Sequence, residues 1–237
     1  MSRISLTRLN FSSYKYVWLA LVVSALIIYM IGKFTNIDIV IEDHYYDAEL
    51  QKFVWRNSWF AKDLMHGYVK NVIILIGGLI LLLAFLDAVA PWQSITSSFR
   101  IRLRFVAWAF VLVPTFISGL KQYFVYHCPS DIDRYGGSAP FIRLFDNIPS
   151  NLQAGHCFPA GHASTGLWLA AFCVFYLPSK PKVALRVFFS GLSVGLALGW
   201  VQQMRGAHFL FHTLWSVWLA SMVIALMLLF TKKLNDI

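Results

Sequence analysis

His127, His156, His162, His208 and His212, five of the seven histidines, fall in or beside three polar segments of an otherwise apolar chain. The segments are Lys121–Pro129, Phe158–His162 and Arg205–His212. An imidazole can attack an electrophile, carry a proton or hold a metal, and lysine or arginine beside it can neutralise an anion. A phosphoester needs such a set: a nucleophile in line with phosphorus, cations and N–H groups on the equatorial oxygens, and an acid for the leaving oxygen. Ionisable groups near bilayer depth are costly to keep there, so each is a candidate functional residue.

The elements that must position these residues follow from composition. The 237 residues are 58% hydrophobic and only 13% charged, against about 25% charged in an ordinary soluble domain. That balance points to an all-α integral membrane bundle of six transmembrane helices, at roughly 20 residues each. Apolar runs mark the spans at 16–34, 71–91, 105–125, 160–178, 184–203 and 209–231. One domain over 1–237 is expected, with a polar interfacial segment at 37–70 and an outer loop at 126–159. In the fifth span Gly191, Gly195 and Gly199 form a small-residue face for close helix packing.

The net charge of +9 sits in short clusters beside apolar runs, which excludes the basic stripe of a nucleic-acid binder. The clusters are Arg3, Arg8 and Lys15; Arg100, Arg102 and Arg104; Lys180, Lys182 and Arg186; Lys232 and Lys233. They alternate with the other connections, so the positive-inside rule places them and both termini in the cytoplasm. All three polar segments then share the outer face. No cleavable signal peptide is read at the N-terminus. Cys128, Cys157 and Cys173 contain no C-x-x-C pair. Cys173 lies in an apolar run, whereas Cys128 and Cys157 flank the outer loop as a possible disulfide, permitted if that face is periplasmic.

Together the three segments resemble the signature motifs of the type 2 phosphatidic acid phosphatase superfamily: K-x6-R-P, P-S-G-H and S-R-x5-H-x3-D. Here they read Lys121 to Cys128-Pro129, Pro159-Ala160-Gly161-His162, and Arg205 through His208 to His212. The resemblance implies a metal-independent membrane phosphatase with no cofactor. His208 would be the nucleophile that forms a phosphohistidine, and His162 the general acid and base. Lys121 would bind phosphate, and Gly161, beside Ala160, would let a backbone N–H approach it.

Departures from the motifs carry their own expectations. Cys128 stands where an arginine is expected, Ala160 replaces the serine hydroxyl, and Gln202 occupies the arginine place six before His208. His212 replaces an aspartate that would fix the imidazole tautomer and stabilise its charged form. Either Arg205, with Arg134 or Arg143, replaces the missing cations, or activity is weakened; retention of His208, His162, Lys121 and both prolines favours the first. Arg134, beside Gly136-Gly137, is the better placed of the two loop arginines.

The resemblance implies a lipid phosphate as substrate: lipid A, undecaprenyl pyrophosphate, phosphatidylglycerophosphate or phosphatidate, reached from the periplasmic face of a bacterial inner membrane. Two rivals stand beside this reading. One is a lipid-phosphate binder or transporter of the same fold. The other is a metal-binding membrane protein, with His208 and His212 on one helical face and His127, Cys128, His156 and Cys157 as further ligands.

Overall fold

The computed structural model describes residues 11–235 apart from 145 and 151. Arg3 and Arg8, and the side chains of Lys232 and Lys233, lie outside that description. The chain is mostly helical. Its long helices are α1 (Phe11–Phe34), α3 (Lys70–Val89), α4 (Ser97–Leu120), α6 (Pro181–Met204) and α7 (Leu210–Asn235), with two short ones, α2 (Ile37–Tyr45) and α5 (Gly161–Leu167). One antiparallel pair, β1 (Tyr46–Asp47) with β2 (Lys52–Phe53), follows α2.

Among the described residues five helical stretches are long and apolar enough to cross a membrane: Lys15–Phe34, Trp59–Val89, Ser97–Tyr123, Pro181–Met204 and Leu210–Thr231. The expected fourth span is built differently. α5 runs only to Leu167 and continues as a 3₁₀ helix over Trp168–Tyr176. The tighter winding gives more rise per residue, so this stretch is roughly 28 Å long. It is also the most enclosed helix, with Trp168, Ala170, Ala171, Cys173 and Val174 buried.

The second span begins earlier than its apolar run. Residues 59–69, expected to lie in a polar interfacial segment, form a π-helix over Trp59–Val69 that runs directly into α3. Its charged and histidine side chains interrupt the hydropathy signal without breaking the helix. Ser58 caps it by accepting from Ala61 N–H at 3.2 Å.

Glycine sets the distance between the helices that carry the chemistry. A Cβ on Gly191 would lie 2.3 Å from the Ala170 nitrogen, one on Gly195 2.4 Å from Leu167, and one on Gly199 2.3 Å from Thr213. α6 therefore presses its glycine face onto the α5–3₁₀ stretch and the start of α7, which only a hydrogen in place of a side chain allows. The arginine cluster in the first turns of α4 has a packing role too. Arg100 Nε and Arg104 Nη2 reach the buried Asp87 carboxylate at 2.6 and 3.3 Å, and Arg102 donates to the Leu177 carbonyl.

Candidate active site

α6 stops in a turn that delivers His208. Gly206 has φ +68°, its N–H donates to the Gln203 carbonyl at 2.8 Å, and Ala207 N–H donates to the Gln202 carbonyl at 2.9 Å. These two bonds close a Schellman turn, which needs a left-handed residue after the helix cap. The chain then reverses, and His208 enters the protein interior with 1% of its surface exposed, just before α7 begins at Leu210.

The second segment is tied to the same helix. Ala160 N–H donates to the His212 carbonyl at 3.2 Å, and Ser216 Oγ donates to the Ala160 carbonyl at 3.1 Å. This docking carries the start of α5 to α7. As a result His162 Nδ1 lies 3.2 Å from His208 Nε2.

The first segment is held by a bond and a lace. Cys128 and Cys157 form a disulfide. Beside it Gly155 N–H donates to Val125 O at 3.0 Å, and Cys157 N–H donates to Tyr126 O at 2.8 Å. Tyr126, Leu144, Phe158 and Phe211 close an apolar cluster beneath the loop.

The disulfide also faces His208. Cys157 Sγ lies 3.4 Å from His208 Nδ1 and 3.2 Å from the Ala207 carbonyl, contacts in which the bonded sulfur has no hydrogen to give. The Cys157 backbone favours a proton on His208, while burial first, then His212, His162 and Lys121, hold its pKa well below the usual 6.5. His208 is therefore a neutral imidazole at pH 7. Its Nδ1 faces the Cys157 sulfur and its Nε2 faces His162.

His212 does not take the aspartate's part. Its ring stands T-shaped to His208 at 6.1 Å between centroids, flanked by Phe158 and Phe209, and its Nδ1 is buried without a hydrogen-bond partner among the described residues. His208 Nδ1 faces the Cys157 sulfur instead, a contact that has no signal in a sequence pattern.

The predicted cations separate. Lys121, at the end of α4, is half-buried and close enough for its charge to act on His208. Arg205 Nη1 donates to Gln202 Oε1 at 3.0 Å and Nε to the Arg56 carbonyl at 3.1 Å. Arg134 forms a two-toothed pair with Asp43, Nε to Oδ1 at 2.8 Å and Nη2 to Oδ2 at 2.7 Å, which holds the Asp43 carboxyl below its usual range. Arg143 donates to Asn36 Oδ1. Both loop arginines thus serve the loop's own attachment to α2.

The rival metal set is not assembled. Cys128 Sγ, Cys157 Sγ and a His208 nitrogen lie within 4.8 Å of one another, but the sulfurs are bonded together and offer no thiolate. His156 Nδ1 meets the Lys121 carbonyl at 3.2 Å, and the His127 ring packs on Gly155. An apolar cavity of about 640 Å³ lies between α1, α6 and α7, lined by Trp18, Leu21, Phe188 and Trp218 and by none of the histidines.

Sequence reasoning missed α2. Asp38 accepts from Phe211 N–H at 3.2 Å and so caps the helix that carries His212; burial outweighs that bond and pushes its pKa up to about 7. Glu42, one turn on, is fully buried, and burial followed by the charge of Asp38 drives its pKa well above the usual value.

A buried imidazole pair, stapled to a lysine-bearing segment at one end of apolar helices, is the arrangement the motifs anticipated. Residues 102–236 match the PAP2 superfamily. The chain belongs to that superfamily. Its members are phosphatases, and the match spans all three segments. No curated protein and no solved structure matches the chain.

Proposed function

We propose that this PAP2 protein is a membrane phosphatase that removes phosphate from a lipid mono- or pyrophosphoester through a phosphohistidine on His208, without a metal. The observation that carries the reading is the 3.2 Å contact between His162 Nδ1 and Nε2 of a neutral, buried His208.

In the proposed cycle the substrate phosphoryl group replaces that contact. His208 Nε2 attacks phosphorus as the P–O bond to the leaving group breaks, and His162 gives that oxygen its proton. His162 then takes a proton from water, which attacks phosphorus; the N–P bond breaks, releasing phosphate and neutral His208. Lys121 neutralises the equatorial oxygens throughout.

Further support bears on placement. The α5–3₁₀ stretch, at roughly 28 Å, matches the thickness of a bilayer's hydrocarbon core, which would make it the sixth span and put both termini on one side. The basic clusters put that side in the cytoplasm. The site then opens at the periplasmic face of a bacterial inner membrane, favouring envelope lipids such as lipid A or the undecaprenyl carrier over phosphatidylglycerophosphate and phosphatidate.

The test is phosphate release by the purified protein from a panel of these lipids, with EDTA present, in wild type, His208→Ala and His162→Ala. Metal-independent release lost in both variants is expected. Saturable lipid-phosphate binding with no release would instead favour a binder or transporter. No release together with metal retained through purification would favour the metal reading.

A further inference from the structure

Two motif positions that would give donors to phosphate are altered here, and the nearby arginine is engaged elsewhere. Cys128 is consumed in the disulfide, Ala160 has no hydroxyl, and the Arg205 guanidinium is engaged by Gln202 and the Arg56 carbonyl. A fourth imidazole, outside all three motifs, stands at the same place. His66, on the π-helix that opens the second span, has its ring centroid 4.8 Å from that of His162.

The bonds behind His66 fix its protonation. Arg205 Nη1 donates to Gln202 Oε1 at 3.0 Å, so the amide oxygen of Gln202 is taken and its nitrogen points the other way. That nitrogen lies 3.3 Å from His66 Nδ1. An amide nitrogen can only donate, so Nδ1 must accept and the ring proton sits on Nε2. Gln202 is 3% exposed, so water offers it no alternative partner. The chain Arg205–Gln202–His66 thus ends in a neutral N–H beside the acid–base histidine. The π-helix contributes as well: wide turns of this kind are rare and concentrate at functional sites.

We infer that His66 is a further catalytic residue of this site, donating its Nε2–H to a phosphoryl oxygen, and that Gln202 and Arg205 are positioning residues that hold it in the donating tautomer. This rests on the phosphatase reading above. It also gives Arg205 a role: its Nη1 bond to Gln202 Oε1 polarises the amide that donates to His66. Gln202, which occupies an arginine position of the motif, supplies the donor to Nδ1.

The test uses the full chain in detergent with short-chain phosphatidate as substrate and orthovanadate as the phosphoryl probe. Wild type is compared with His66→Ala, His66→Gln and Gln202→Glu. Loss of one hydrogen bond to a charged oxygen predicts a fall on the order of 10- to 100-fold in kcat/KM and in vanadate affinity for His66→Ala. His66→Gln keeps a neutral N–H donor and recovers most of both. Gln202→Glu, which leaves His66 in place but offers Nδ1 only an acceptor, removes the Nε2–H of the neutral ring and falls with His66→Ala. Unchanged vanadate affinity in His66→Ala and Gln202→Glu, or a glutamine variant no better than alanine, overturns the assignment while wild-type turnover leaves the phosphatase reading standing. A wild type that neither turns over phosphatidate or the other lipids nor binds vanadate overturns both.

Discussion

Replacing both Cys128 and Cys157 with alanine should loosen the outer loop by an amount the closed ring sets. The bond joins residues 29 apart in sequence, and in the chain-entropy treatment closing a loop of that size contributes about 3.6 kcal/mol at 25 °C. That is roughly 400-fold in the ratio of open to closed loop. The loop lies between helical spans, so it can open without unfolding them. Gly155 N–H and Cys157 N–H report the opening directly, because each donates across the neck of the loop, to Val125 and Tyr126. The apolar cluster of Tyr126, Leu144, Phe158 and Phe211 is the same in both proteins, so it sets the baseline and leaves the ratio alone. Amide exchange followed by mass spectrometry over peptides covering 152–158 should therefore quicken by up to about two and a half orders of magnitude. Turnover should fall with it, because Cys157, whose sulfur lies 3.4 Å from His208 Nδ1, moves with the loop. An acceleration below about threefold would refute the reasoning, since the lace and the apolar cluster alone would then be holding the neck.

Four other outcomes are expected. Gly191→Ala should lower the thermal midpoint by overpacking against the Ala170 backbone, at about 1–3 kcal/mol, whereas Gly78→Ala, which meets nothing within 4 Å, should raise stability by about 0.5–1 kcal/mol. The acid limb of kcat/KM set by the nucleophile should lie below pH 6.5, because burial and neighbouring charges depress the His208 pKa and keep it neutral through that range; a limb at or above 6.5 abolished by no other variant would count against it. His212→Asp should not raise kcat, since the ring it replaces lies 6.1 Å from His208, and the new carboxylate, flanked by Phe158 and Phe209, should cost about 3–5 kcal/mol of stability; a tenfold gain in kcat would overturn this. Asp38 has its folded pKa raised from 3.8 to about 7, so the folded state holds the extra proton in that window and stability falls as pH rises through it. Asp38→Asn, which keeps an oxygen for Phe211 N–H, should flatten that slope in thermal unfolding followed from pH 4 to 8.

Much of this was legible because lipid imposes a simple code. Five of the long apolar stretches emerged as helices near their expected bounds, and the three motif segments met where their order implied. The start of the second span was hidden because Lys62, Asp63 and His66 dilute hydropathy in a segment whose backbone is nonetheless helical. The short α5 and its 3₁₀ continuation were hidden for another reason: winding depends on how tightly α6 presses on them, a tertiary term with no local signature. Arg134 illustrates a limit of reading charge by proximity to a motif. Its glycine-rich turn does bend inward, but Asp43 on α2, 91 residues away, takes the guanidinium. His66 lay outside every motif, and only the turn of a π-helix brings it to His162.

The site also shows how the family's geometry can survive the loss of its charged residues. An aspartate behind the nucleophile does two things, fixing the tautomer and offsetting positive charge on the ring. In this chain burial has separated them. Cys157, locked by the disulfide and by its bond to Tyr126, sets its sulfur 3.4 Å from His208 Nδ1 and walls that side of the ring. It cannot offset charge, yet a ring held neutral by burial carries less charge to offset before attack. In the proposed cycle the penalty is deferred to the transition state, where phosphorylation would make the ring positive in an apolar surround. The negative phosphoryl oxygens, held by Lys121 and by neutral donors, would then provide the balancing charge at close range. Without the motif's aspartate and two of its arginines, what remains is a site of imidazoles and one lysine, in which geometry, more than net charge, would have to hold the phosphate.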